Sequence, residues 1–186
     1  MLYNLDSLPG KIGLGHIRWA THGAPMQVNA HPHFDCENQV AVVQNGIIEN
    51  YAEIKRELEN LGHVFKSKTD TEVVAHLVEE KLKKGLSFIE AVRETLNRLE
   101  GSFSIAIICV KDSDKILCAQ KESSLTIGLG ENAVYCSSDI PTFLPMTKNT
   151  VMIESGEVGI LNEKDACMHM RFANLLTGAK CQGNLR

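Results

Sequence analysis

The sequence lacks a long apolar run and a stripe of basic residues. Its longest uninterrupted apolar run, 105–110, is far too short to cross a bilayer. The net charge is −4, so the chain carries no excess of cations with which to displace the counterions of nucleic acid. We therefore expect neither a membrane protein nor a nucleic-acid-binding protein.

The chain also lacks a close pair of cysteines and a secretion signal. Its six cysteines are scattered, and the first residues show no charged-then-apolar pattern. Both features favour the cytosol, where thiols stay reduced. We expect Cys109 and Cys118 to fill the core. The segment 31–33, with two histidines, and Cys36 form a compact set of metal-ligand types, but no second set lies nearby in sequence, so structured-loop histidines are favoured over zinc.

The pattern of apolar residues predicts an α+β fold. Hydrophobic residues make up 44% of 186 positions, enough for one domain with a sizeable core. Apolar residues at 3/4 spacing predict helices over 50–62, 69–85 and 87–101. Strand-like runs are 11–17, 40–43, 102–110, 115–120, 125–129, 133–136, 150–153 and 158–161. Since the helices are grouped between strands, the pattern does not fit alternating βαβ units. We assign residues 1–165 to this domain and expect the tail 166–186 to be a short helix or disordered.

Three polar groups in separate segments carry the chemistry. Arg18 ends a strand-like run and can hold a carboxylate bidentately; alone it more readily fits a surface salt bridge. Asn45-Gly46 can supply an amide and a backbone N–H to an oxyanion, or form a hairpin turn. Asp70 can bind an ammonium group or serve as a helix N-cap. Together they suit a small zwitterion with an amide at its far end.

These segments resemble the glutaminase domain of glutamine–fructose-6-phosphate aminotransferases, which are class II glutamine amidotransferases. The matching stretches occur in order between Lys11 and Leu161. They are Gly15–Gly23, Asn29–His33, Val42–Tyr51, Thr69–Val73, Leu99–Phe103, Ile127–Gly130 and Ser138-Asp139.

The resemblance implies an N-terminal-nucleophile hydrolase fold, an αββα sandwich of two stacked antiparallel sheets between helical layers. It implies that Arg18 binds the glutamine α-carboxylate and Asp70 the α-ammonium. Asn45 and Gly46 would form the oxyanion hole, and Trp19 would lie near the mouth of the ammonia passage. Thr21 and His22 would line the glutamine loop. The family requires no metal and no organic cofactor.

The resemblance also sets expectations about what is missing. The family attacks glutamine with the thiol of an N-terminal cysteine, whereas this sequence begins Met1-Leu2-Tyr3. We expect the fold to be incomplete at its N-terminus, without the sugar-isomerase domains, and expect this chain alone to be inactive. It would otherwise supply ammonia for making glucosamine 6-phosphate from fructose 6-phosphate. The alternatives are a non-catalytic glutamine-binding module, a fragment that needs a partner chain, and a relic that does not fold alone.

Overall fold

Three α-helices and nine strands make up most of the described part of the chain. The computed structural model describes residues 10–19, 23–162 and 166–171. The helices are α1 (Tyr51–Asn60), α2 (Glu72–Lys83) and α3 (Phe88–Leu96). The strands are β1 (His33–Phe34), β2 (Val40–Ile48), β3 (Gly101–Cys109), β4 (Lys115–Lys121), β5 (Thr126–Leu129), β6 (Val134–Ser137), β7 (Thr150–Met152), β8 (Glu157–Asn162) and β9 (Ala166–Arg171).

The strands make two antiparallel sheets. The larger sheet has six strands in the order β1-β2-β3-β4-β8-β9, and the smaller has three in the order β6-β5-β7. Nine consecutive residue pairs join β2 to β3, from Val40↔Cys109 to Ile48↔Gly101. No helix within the described ranges is long and apolar enough to cross a membrane.

Alternation along the strands of the larger sheet builds two separate cores. One face of β3, with Ile105 and Ile107, packs under the three helices. The opposite face, with Ala106, joins a smaller cluster around Cys118 and Ile127 between the two sheets. A strand that is apolar at every position is covered on both sides, as the sequence predicts. Cys109 and Cys118 are both buried, as expected.

Several helix ends carry the residue types that favour helix termini. Gly62 (φ +93°) and Gly85 (φ +87°) lie just past α1 and α2, where a left-handed residue ends a helix at low cost. Ser87 and Glu90 form a reciprocal capping box on α3. The Asn50 side chain, by contrast, does not cap α1; it binds the backbone of Arg98 and Glu100 instead. Helix α3 ends at Leu96, before the predicted 101.

Two expectations about secondary structure are wrong, and one of two alternatives is excluded. Residues 11–17 belong to no strand. Asn45-Gly46 is no hairpin turn, because β2 continues through it, with Asn45↔Ser104 and Gly46↔Phe103 in register. The first part of the tail is neither helix nor disorder: residues 166–171 form β9 and pair with β8. Residues 172–186 lie outside the described ranges, and the domain boundary at 165 stays a prediction.

Candidate functional site

A cavity of about 250 Å³ opens at the edge of the larger sheet, beside the start of α2. Segments distant in sequence converge there. Its walls are formed by His16, Arg18, Trp19, His31, Gln44, Asn45, Gly46, Thr69 and Asp70. The three polar anchors singled out in the sequence therefore surround one space.

Arg18 reaches the cavity from an extended segment. Its guanidinium donates hydrogen bonds to the carbonyl oxygens of Gly23 (3.1 Å) and Ala24 (3.2 Å). Asn29, itself buried, donates to Ala24 O (2.9 Å) and accepts from Lys68 N (2.9 Å). These contacts fix the guanidinium at the cavity wall and tie its loop to the segment that carries Asp70.

Asn45 and Gly46 lie inside β2 and not in a turn. Asn45 Oδ1 accepts from His16 Nε2 (2.8 Å), and Asn45 Nδ2 donates to Ser138 Oγ (3.0 Å). An amide has two N–H donors, so this arrangement orients the group and uses one of its two donors. Gly46 adopts φ +99°, and a Cβ there would overlap the carbonyl oxygen of Ser102. Only glycine fits this close approach of the two strands.

Asp70 precedes α2 but is not its N-cap. The carboxylate is 3% exposed, and its Oδ2 accepts the backbone N–H of Ile48 (2.8 Å). The N-cap position is Thr71, whose side chain makes no capping hydrogen bond. Because a carboxylate accepts up to about four hydrogen bonds, Asp70 can still accept an ammonium group from the cavity.

A hydrogen-bonded chain that sequence reasoning missed lies beneath the cavity. Gln44 N–H points to His31 Nδ1 (3.3 Å), His31 Nε2 lies 3.2 Å from Thr71 Oγ1, and Thr71 donates to Gln44 Oε1 (2.5 Å). The His31 ring therefore accepts at Nδ1 and donates at Nε2, which is the neutral tautomer. The clue lay in spacing: Gln44 and Thr71 each adjoin a predicted site residue.

Burial, followed by the charges of His16, His33 and Arg18, lowers the pKa of His31 to about 3. Burial also lowers the pKa of His33, whose Nε2 contacts Thr69 Oγ1 at 2.9 Å. Both imidazoles are consequently structural and neutral near pH 7. Neither joins Cys36, so the compact metal cluster considered in the sequence does not form.

Trp19 also lines the cavity and is 91% exposed, which places its ring at the mouth. The His16 ring contacts His31 with centroids 4.2 Å apart and planes tilted by 32°. His16 also holds Asn45, a positioning contact that the sequence did not reveal. Thr21 and His22, predicted to line the glutamine loop, lie outside the described residues.

The model of the family described as a glutamine amidotransferase domain matches residues 16–145. The chain belongs to this family. The matched range contains every predicted site residue, including the two that the structure does not describe. The recognition of a class II glutamine amidotransferase from the sequence is therefore confirmed.

Individual members of the family are close in sequence. The glutamine–fructose-6-phosphate aminotransferase (isomerizing) of Pyrococcus horikoshii is 49% identical over 160 residues, which is 86% of this chain and 27% of that protein. The protein of the same name from Pyrobaculum aerophilum is 52% identical over 159 residues, which is 86% of this chain and 26% of that one. The chain thus spans about a quarter of the length of the curated relatives it matches.

Solved structures confirm the fold class of this amidotransferase domain. The glutamine phosphoribosylpyrophosphate amidotransferase from B. subtilis superimposes with a TM-score of 0.70 at 26% identity, covering 85% of this chain and 34% of that chain. A class II glutamine aminotransferase domain protein from Silicibacter pomeroyi gives 0.56 at 13% identity over 75% and 70%, a likeness of fold alone. These superpositions show that the chain has the α+β sandwich fold of the N-terminal-nucleophile type. Within the described ranges, helices lie on one face of the stacked sheets only, with no α-helix over the smaller sheet.

Proposed function

We propose that this chain is the glutamine-hydrolysing domain of an enzyme that makes glucosamine 6-phosphate from glutamine and fructose 6-phosphate. The observation that carries the proposal is the convergence of Arg18, Asn45-Gly46 and Asp70 on one cavity of about 250 Å³. Fructose 6-phosphate is inferred as the acceptor from the names of the relatives. Those relatives are much longer than the region that this chain matches. We expect the protein to act in the cytosol.

The roles follow from charge and geometry. The Arg18 guanidinium suits the α-carboxylate of glutamine, because its planar donors match two carboxylate oxygens. Asp70, buried and held by Ile48 N–H, suits the α-ammonium. The side-chain amide of glutamine then extends toward Asn45 and Gly46. An oxyanion forming there gains about 2.7–4 kcal/mol from each well-placed donor.

Calorimetric titration with glutamine tests the binding half of the proposal. We expect the full chain to bind glutamine, and Arg18→Lys to weaken binding by about tenfold or more because one bidentate contact is lost. Asp70→Asn should weaken it comparably. Lys148→Ala, an exposed cation remote in sequence, serves as the control for a general loss of charge and should bind normally. Absence of glutamine binding by a chain that melts cooperatively would refute the proposal.

A second candidate is a glutamine-binding module without hydrolysis. It is favoured by one observation: among the described residues that line the cavity, none is a cysteine. Ammonia release from glutamine, measured alongside labelling by an electrophilic glutamine analogue, separates the two. Release with a label on one thiol supports the hydrolase. Tight binding with neither release nor label supports the module. The expected inactivity of this chain alone stays a prediction that the same assay decides.

A further inference from the structure

A second cluster of ligand-type side chains lies outside the cavity, where the segment after β1, the turn after α1 and helix α2 meet. It contains Cys36, His63, His76 and Glu79, and one donor atom of each lies within 4.8 Å of the other three. Cys36 is half-buried, whereas His63, His76 and Glu79 are each no more than 5% exposed.

Each member is placed by an ordinary local structure. Asp35 Oδ1 accepts from Gln39 N (2.6 Å) and Val40 N (2.9 Å), which forms the turn that carries Cys36. His63 N–H bonds back to Leu58 O (3.0 Å) in the Schellman turn that ends α1. His76 and Glu79 are three residues apart and therefore share one face of α2.

Five of the six distances between these donor atoms are close to those of a tetrahedral ligand set. Cys36 Sγ lies 3.6 Å from Nδ1 of His63 and 3.6 Å from Nδ1 of His76. The two Nδ1 atoms are 3.1 Å apart, and Glu79 Oε2 lies 3.0 and 3.1 Å from them. A zinc ion with bonds of about 2.0–2.1 Å to nitrogen or oxygen and about 2.3 Å to sulfur separates its ligand atoms by about 3.3–3.6 Å. Small outward shifts would admit the ion.

The outer nitrogens of both rings point to carboxylates. His63 Nε2 lies 2.9 Å from Glu80 Oε1. His76 Nε2 is buried, has no hydrogen-bond partner among the described residues, and lies 3.7 Å from Glu72 Oε1. A proton on each Nε2 suits these neighbours, and a carboxylate behind the outer nitrogen is the usual support of a metal-bound histidine.

That protonation leaves a buried collection of acceptors. Both Nδ1 atoms then present lone pairs to each other and to Glu79 Oε2, with the Cys36 sulfur beside them. The backbone N–H of Cys36 donates to Glu79 Oε2 (3.2 Å), but it does not lie between the two rings. Acceptors brought together away from water repel one another unless a proton or a metal ion lies between them. Lys83 does not fill this role, since its Nζ contacts the other carboxylate oxygen, Glu79 Oε1, at 2.8 Å.

We propose that Cys36, His63, His76 and Glu79 form a four-coordinate structural zinc site. One thiolate and one carboxylate balance the charge of Zn²⁺, and four protein ligands leave no position for a reacting water. The ion would join three segments of the chain, one of which, α2, follows directly after Asp70. The proposal does not depend on glutamine hydrolysis.

Metal analysis of the full chain tests the site. After gel filtration in metal-free buffer we expect about one zinc ion per chain, as a closed four-ligand site retains its ion. Cys36→Ala and Glu79→Gln should lose most of it. Cys136→Ala replaces another half-buried free cysteine, in β6 of the smaller sheet, and should keep it. Equal zinc loss from Cys36→Ala and Cys136→Ala would overturn the proposal.

Cobalt uptake keeps the test valid should a ligand variant fail to fold. Unsubstituted chain stripped of metal and titrated with Co²⁺ should develop the strong visible bands of tetrahedral cobalt and a thiolate-to-cobalt band in the near ultraviolet. Its melting temperature should fall on chelation and recover with zinc. A chain that carries no zinc, shows neither band and melts identically with and without chelator contradicts the proposal. In that case His63 and His76 are held together by hydrogen bonds and not by a metal ion.

Discussion

At the scale of single residues, Gly46 has little freedom to change. Its φ of +99° and the overlap of a Cβ with Ser102 O and Phe103 Cα combine two separate costs. The same contact positions Asn45 and Gly46 in the cavity wall. A residue that appears in the sequence as a turn signal is in fact required by the close approach of β2 and β3.

We expect Gly46→Ala to destabilise the fold by more than about 3 kcal/mol, because backbone strain and a backbone clash add. Gly85→Ala is the matched control: φ is +87° and a Cβ there meets nothing within 4 Å. It should lose only the strain, about 1–2 kcal/mol. Urea unfolding of both variants measures the difference. Equal losses would show that the clash with Ser102 is relieved by local movement.

Sequence reasoning singled out residues that line the cavity but not the residues that hold them in place. Arg18, Asn45 and Asp70 stand out because their side chains serve binding in any setting. His16 and Gln44 do not, since their roles depend on partners that only the folded chain brings near. Cys36 shows the limit most clearly: its nearest histidines in sequence are turned toward Thr69 and Thr71, while its neighbours in space, His63 and His76, come from later segments.

At the scale of elements, helices were more predictable than strands. Periodicity and capping define a helix locally, and α1 to α3 each lie within a predicted range. A strand requires a neighbour. Residues 11–17 alternate like a strand but find no partner within the described ranges, whereas weakly patterned residues 166–171 become β9 because β8 offers a free edge. Whether a segment becomes a strand therefore depends on an available pairing partner and not on its local pattern alone.

Strand β9 gives the element-scale prediction. A chain ending at Asn162 should expose β8, whose Val158, Ile160 and Leu161 are buried, as an unpaired edge and should aggregate. A chain ending at Arg171 retains β9 and should stay dispersed. Light scattering on heating compares the two. Were both to aggregate alike, protection would have to come from residues beyond 171 and not from the β8–β9 pairing.

At the scale of the whole molecule, buried imidazoles link stability to pH. The pKa of His31 falls from 6.5 to about 3 on folding, and that of His33 is also lowered. Between these values the unfolded chain binds more protons than the folded one. Stability is therefore greatest above pH 6.5 and decreases as the pH falls toward 3.

We expect the free energy of unfolding to decrease from pH 7 to pH 4, by at most about 1.4 kcal/mol per pH unit for each proton taken up. Partial solvent contact at His31 reduces this limit. His31→Gln should be less stable at pH 7, because the chain through Gln44 and Thr71 is disturbed, yet should lose less on acidification. Urea titrations at several pH values give both slopes. If the free energy of unfolding falls equally steeply with pH in both proteins, His31 is not the cause of the pH dependence.

The bond between Asn45 Nδ2 and Ser138 Oγ spans the two sheets, since Asn45 belongs to β2 and Ser138 follows β6. The side chain proposed to hold the oxyanion thus has its backbone in one layer and its tether in the other. Sliding of one layer over the other would twist that amide away from the substrate while both layers stayed intact. Residues that only pack between the sheets would then affect the rate of glutamine hydrolysis. Substitutions among them would slow the reaction without weakening glutamine binding.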